Sequence, residues 1–205
     1  MSGLLWLIPE YVVLAAALLA LFADAVSSRP GAGAAIGAVA ALVAAVVAVL
    51  IGTRGEIAGV LFLDETAVVA RVAMLVLSGV YLLWLAGRGL GVERSREAAS
   101  LVLFALMGGM FMSTARDLIA LFIAVELGTM PAYVLMGYRR GDARTLEGAL
   151  KYFLLSMTTS LVMLYGFSFL FGLSGSTSFS ALGTVGDTGL LGAFAALFSF
   201  IGLFA

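Results

Sequence analysis

Apolar runs of about twenty residues, each closed by a cluster of charge, glycine or proline, follow one another along almost the whole chain. The runs are 4–22, 32–52, 66–86, 98–114, 118–138, 146–173 and 188–205. A helix needs roughly 20 apolar residues to cross the hydrocarbon core of a bilayer, so the pattern predicts six complete spans and part of a seventh. The first run lacks a basic stretch before it and carries Pro9 and Glu10 near its start, so it is a span and not a cleaved signal peptide. The second is almost entirely small residues and holds a Gly33-x-x-x-Gly37 spacing. That spacing fits a close helix–helix contact and equally a loosely packed, lipid-facing helix.

Composition sharpens this picture. Of 205 residues, 63% are hydrophobic and 11% charged, against about a quarter charged in soluble domains. The fold class is therefore an all-α polytopic membrane protein. Eleven basic residues against twelve acids leave no positive surplus for a nucleic-acid backbone. Cysteine and histidine are both absent, which excludes disulfides, thiolate-held iron–sulfur clusters, histidine-ligated haem, ordinary zinc sites and any imidazole triad. Chemistry in this chain has carboxylates, lysine, arginine, hydroxyls and water to work with, and the expectation is that it binds no metal or cofactor.

Loops on the cytoplasmic side of a membrane are enriched in arginine and lysine. Arg29, Arg88, Arg94, Arg96, Arg139, Arg140 and Arg144 fall in alternate loops on one side; Arg54 and Arg116 fall on the other, and Arg71 lies just inside a span. The asymmetry predicts a multi-pass protein of the inner (plasma) membrane with its N-terminus outside.

An ionised group at the bilayer centre costs about 2.5–3.5 kcal/mol on the lenient insertion scale, so each intramembrane charge asks for a function. Glu126 lies ten residues past Arg116 and twelve before Tyr138, roughly 15 and 18 Å along a helix, which is the midplane. A protonated glutamate tucked into a helix contact is the bland alternative. Pro131, five residues on, cannot donate to the carbonyl of Leu127 and is expected to kink the helix beside Glu126; Gly128 and Thr129 leave room there. Lys151 is the sole lysine of the chain. Desolvated lysine can lose its proton and arginine essentially cannot, although a lysine this near a helix start can also snorkel or pair with Glu147 four residues earlier. Glu126 and Lys151 fall on consecutive antiparallel helices at depths differing by roughly 8 Å. A lysine side chain plus one water spans that gap, so the two are candidates for a coupled acid–base pair. Glu10, Asp24, Asp64, Glu65, Asp117 and Asp187 lie near helix ends, where solvation and capping account for them.

The stretch 112–177 closely resembles subunit N of the proton-pumping NADH:quinone oxidoreductase, respiratory complex I. The resemblance rests on Glu126 followed by Pro131, the basic Arg139-Arg140, Ala149-Leu150-Lys151-Tyr152-Phe153, Tyr165-Gly166 and the turn Gly172-Leu173-Ser174-Gly175-Ser176. Leu7-Ile8-Pro9-Glu10 and Phe62-Leu63-Asp64 extend it more weakly toward the N-terminus. It implies part of an antiporter-like fold of inverted five-helix repeats. The expected division is then residues 1–97 as amino-terminal helices 1–3 and residues 98–205 as a truncated first repeat holding helices 4–7. The family subunit has about fourteen spans, so a shortened product or a fragment is expected.

In that family the matching glutamate and lysine belong to a chain of ionisable groups and water that moves protons. Electron transfer from NADH to quinone drives it, with NAD, FMN, iron–sulfur clusters and quinone held in partner subunits. Membrane-arm subunits and the lipid bilayer are the implied partners. Two other readings stay open: a membrane subunit of an Mrp-type cation/proton antiporter, which shares the glutamate–lysine logic, and a non-catalytic structural remnant.

Overall fold

In the computed structural model, residues 2–26, 31–53, 55–88, 97–137 and 143–204 are described. A 3-10 turn, Ser2–Leu7, leads into α1 (Ile8–Val26). Then come α2 (Ala32–Ile51), a hairpin of β1 (Gly55–Ile57) and β2 (Leu61–Leu63), α3 (Glu65–Arg88) and α4 (Ala98–Thr114). α5 (Leu118–Met136) and α6 (Ala143–Ser174) follow, then a 3-10 segment, Phe179–Thr188, and α7 (Leu190–Phe204). All seven expected runs are helical. α1, α2, α3, α5 and α6 contain stretches long and apolar enough to cross a membrane, while α4 and α7 are shorter apolar helices.

Among the described residues the one sheet is a small antiparallel hairpin, and apolar periodicity gave no sign of it. Gly55 pairs with Leu63 and Ile57 with Leu61, and the turn is made by Ala58 and Gly59, both at positive φ. The hairpin gathers one end of the molecule. The amide of Arg116 donates to the carbonyl of Val60 (2.8 Å), and Phe179 donates to the carbonyl of Arg116 (3.0 Å). The Arg116 guanidinium lies 4.2 Å from the centre of the Phe62 ring, a cation–π contact. The N-terminal turn also packs on β1. The chain start, the hairpin, residues 115–117 and residues 175–189 thus share one end, as alternation of antiparallel helices requires.

Of the arginines that predict orientation, Arg29, Arg54, Arg94, Arg96, Arg139 and Arg140 lie outside the described residues. Arg116 sits at the hairpin end, and Arg88 and Arg144 close α3 and open α6 at the other.

α1 and α3 each pack against both α2 and α4. These four helices enclose the larger core, built from Val13, Leu75, Leu82, Leu103, Met110 and a stripe of alanines. Along α2, Gly33, Ala34, Gly37, Ala38, Ala41, Ala44, Ala45 and Ala48 are buried. A Cβ on Gly37 would stand 2.9 Å from Leu103 Cδ1. The small-residue run is therefore a contact face and not a lipid-facing one. A second, smaller core joins the start of α5 to α6 and α7 through Leu118, Met163, Phe167, Leu170 and Ala195.

Candidate functional site

α5 begins where Asp117 turns from extended backbone into helix. Its Oδ1 accepts from the amides of Ile119 (2.8 Å) and Ala120 (3.3 Å), which satisfies two of the amides that a helix start leaves open. Its Oδ2 accepts from the Thr177 hydroxyl, tying the start of α5 to the segment that follows α6. Capping thus accounts for Asp117, and Asp64 does the same for α3, accepting from Ala67 at 2.7 Å. The side chains of Asp24 and Asp187 lie outside what the structure describes.

Eight residues into α5, roughly 12 Å from its start, Glu126 is partly buried, and its Oε1 is fully buried with no hydrogen-bond partner among the described residues. Two neighbours define its surroundings. At Gly128 the backbone of α5 meets that of α4: a Cβ placed on Gly108 would fall 2.3 Å from the Gly128 nitrogen. Only two glycines let these helices come so close. On the other side Pro131 lies inside the helix, which runs through it as one element, and it leaves the Leu127 carbonyl without its usual amide donor. The Thr129 hydroxyl donates to the Val125 carbonyl at 3.0 Å. A carboxyl oxygen, a released carbonyl and a glycine thus fall within two turns of one helix, with a second glycine facing them from α4, a place where a proton can be held and passed to water.

Lys151 stands on α6 with 74% of its side chain exposed, in an ion pair with Glu147, itself 63% exposed. No hydrogen bond or ion pair joins it to Glu126. The structure therefore places the two sequence candidates on adjacent helices without bringing them together. α5 and α6 are instead joined by a hydrogen bond between the Tyr133 and Ser156 hydroxyls, with the Tyr133 ring edge-on to Tyr152 and Phe153. At 32 residues α6 is about 48 Å long and overhangs a core about 30 Å thick. The Glu147–Lys151 pair lies in its first third.

One buried pair escaped the sequence reading. Arg71 Nη2 lies 2.6 Å from both carboxylate oxygens of Glu10, donating to Oε2, and the two side chains are 0% and 2% exposed. Proximity to a helix end does not explain Glu10; an ion pair across the interior of the α1–α4 bundle does. The signal was present in two opposite charges, each inside an apolar run, but pairing them needs the knowledge that α1 and α3 face each other. The apolar cavity of about 500 Å³ between α5, α6 and α7 is lined by groups such as Leu121, Phe167, Leu170 and Phe200, with Ser199 the one hydroxyl. It holds no proton-carrying group. Among the described residues no three acids cluster as a metal site would require.

Residues 115–205, which include both Glu126 and Lys151, match the family described as NADH:quinone oxidoreductase/Mrp antiporter, TM. The NADH-quinone oxidoreductase subunit N of Caulobacter sp. (strain K31) is 44% identical over 103 residues, 50% of this chain and 21% of that protein. Respiratory complex I from Thermus thermophilus contains a chain of the same fold, with a TM-score of 0.74 and 25% identity over 96% of this chain and 43% of that one. A chain of the membrane-bound sulfane sulfur reductase, an archaeal respiratory membrane complex, superposes with a TM-score of 0.83 at 19% identity, over 98% of this chain and 44% of that one, a likeness of fold. The chain thus spans less than half of either solved chain and about a fifth of the subunit N relative. It has an antiporter-like membrane fold. It is a multi-pass membrane protein similar to subunit N of NADH-quinone oxidoreductase, with the sequence likeness concentrated in residues 115–205.

Proposed function

We propose that this chain is a proton-translocating membrane-arm subunit of an NADH:quinone oxidoreductase, coupling electron transfer in partner subunits to proton movement through its own buried groups. The observation that carries the reading is the buried, unpartnered Glu126 Oε1 beside Gly128 and Pro131, inside the segment that matches the family. Glu126 is the proton-holding group. Pro131 and Gly128 keep a polar, accessible stretch of backbone next to it. Lys151 is the second titrating group, paired with Glu147 in this arrangement and coupled to Glu126 through water and through helices packed on α5 and α6. NAD, FMN, iron–sulfur clusters and quinone belong to partner subunits. Residues 1–97 serve as an amino-terminal scaffold and 98–205 as the start of the proton-moving repeat. The membrane is the inner (plasma) membrane, with the N-terminus outside.

The test is made in inverted membrane vesicles from the source cell, with and without the gene for this chain. NADH-driven acidification of the interior should require the chain and should not require sodium. A second reading follows from the family description itself, which joins these oxidoreductases to Mrp antiporters. If a sodium gradient moves protons through the chain while NADH does not, the antiporter reading replaces the first.

A further inference from the structure

Arg71 carries five N–H donors and no acceptor. Its Nη2 serves Glu10, whereas Nε and Nη1 are buried with no hydrogen-bond partner among the described residues, as is Glu10 Oε1 by hydrogen-bond geometry. The bundle around them offers little else. Among the described residues its other buried polar side chains are Ser100 and Thr114, whose hydroxyls donate to the carbonyls of Glu97 and of Met110 and Phe111; the remaining core is alanine, leucine, valine and methionine. A buried guanidinium with open donors is unfavourable unless something accepts from it. The acceptor must be small enough to enter a packed core and uncharged, since an anion would leave the neutral Glu10–Arg71 pair with net negative charge.

We propose that Arg71 and Glu10 form a water-binding site inside the α1–α4 bundle, with one bound water accepting from Arg71 Nε, a second accepting from Nη1, and Glu10 Oε1 accepting from bound water. Buried waters take up buried polar groups that have no other partner, here two donors and one acceptor. A cavity of about 530 Å³ at the hairpin end is lined by Trp6, Thr53, Asp64 and Glu65 among others, and Glu65 is six residues from Arg71, roughly 9 Å along α3. The site also has a defined depth. A Cβ on Gly109 of α4 would meet Met74 of α3, and one on the adjacent Gly108 would meet Gly128 of α5. Arg71 lies three residues toward the hairpin end from Met74, and Glu126 two residues toward it from Gly128. Arg71 and Glu126 therefore flank α4 at levels that differ by about 3 Å, so the molecule carries two polar centres at similar depth.

The test uses the unaltered full chain in lipid bilayers, so it is separable from any result on proton pumping. Arg71–Val72 is the sole Arg–Val step in the sequence, so arginine labelled uniformly with carbon-13 and nitrogen-15, together with nitrogen-labelled valine and carbon-labelled leucine, assigns Arg71 uniquely through its carbonyl. Water-edited solid-state NMR then reads how fast polarisation from water reaches the Arg71 side-chain nitrogens. The exposed Arg144 is the wet reference and the buried Leu75 methyls are the dry one. Build-up at Arg71 several-fold above the Leu75 level at short mixing times is expected. Build-up no faster than at Leu75 overturns the water site, whatever the role of Glu126.

Discussion

At the scale of single residues, three ionisable groups divide according to their partners. Glu126 has a buried oxygen with none among the described residues, Lys151 has Glu147, and Glu10 has Arg71. The partner decides what a substitution tests. Lys151→Arg preserves the ion pair to Glu147, so a lysine that merely anchors the helix end predicts unchanged pumping. A lysine that must release its proton predicts loss, because arginine essentially never gives its proton up. Loss of pumping in Lys151→Arg and Lys151→Ala alike is expected, read as proton uptake by energised vesicles at wild-type assembly. Glu126 was legible in the sequence because a midplane carboxyl is costly and stands alone in an apolar run. The Glu10–Arg71 pair was not, because its members are 61 residues apart and nothing local links them. Breaking that pair is expected to be far worse than replacing it. Arg71→Met leaves a buried carboxylate and should cost about 3–5 kcal/mol, while Glu10→Leu with Arg71→Met should recover most of the loss, as thermal unfolding in detergent would show.

At the scale of elements, glycine sets the geometry. α4 and α5 cross at Gly108 and Gly128, and α6 and α7 cross where a Cβ on Gly166 or Gly202 would stand 2.5 Å from the Ser199 nitrogen or 2.4 Å from the Met163 nitrogen. Gly108→Val should therefore push α4 off α5 next to Glu126. A loss of about 1–3 kcal/mol of stability, the usual range for overpacking, is expected together with weakened pumping, while Gly148→Ala, which meets no atom within 4 Å, should change neither. Helix existence was readable from run length alone, since an apolar backbone in lipid must satisfy its own hydrogen bonds. The β1–β2 hairpin was not. Three-residue strands have too little alternation to register, and this pair is held by long-range bonds from Arg116 and its neighbours.

At the scale of the whole molecule, the hairpin end binds the chain start, residues 115–117 and the stretch after α6 into one cap, while Arg88 and Arg144 lie at the opposite end. The proposed orientation puts the cap outside the cell. With no native cysteine, single-cysteine variants at Ser2 and Ser178 should both react with an impermeant reagent added from outside. Labelling of Ser2 from the cytoplasm alone contradicts that orientation. The likeness to complex I shows the fold, and the proposed proton chemistry turns on Glu126. The most direct measurement compares Glu126→Gln with the wild type in the assembled complex, in sealed vesicles supplied with NADH, recording proton uptake beside NADH oxidation and confirming assembly on a native gel. Glutamine keeps the size and the polarity of the side chain and cannot carry the proton. The account predicts an assembled complex whose proton uptake falls at least tenfold, a change of about 1.4 kcal/mol or more in the barrier. Assembled complex that takes up protons at the wild-type rate contradicts it.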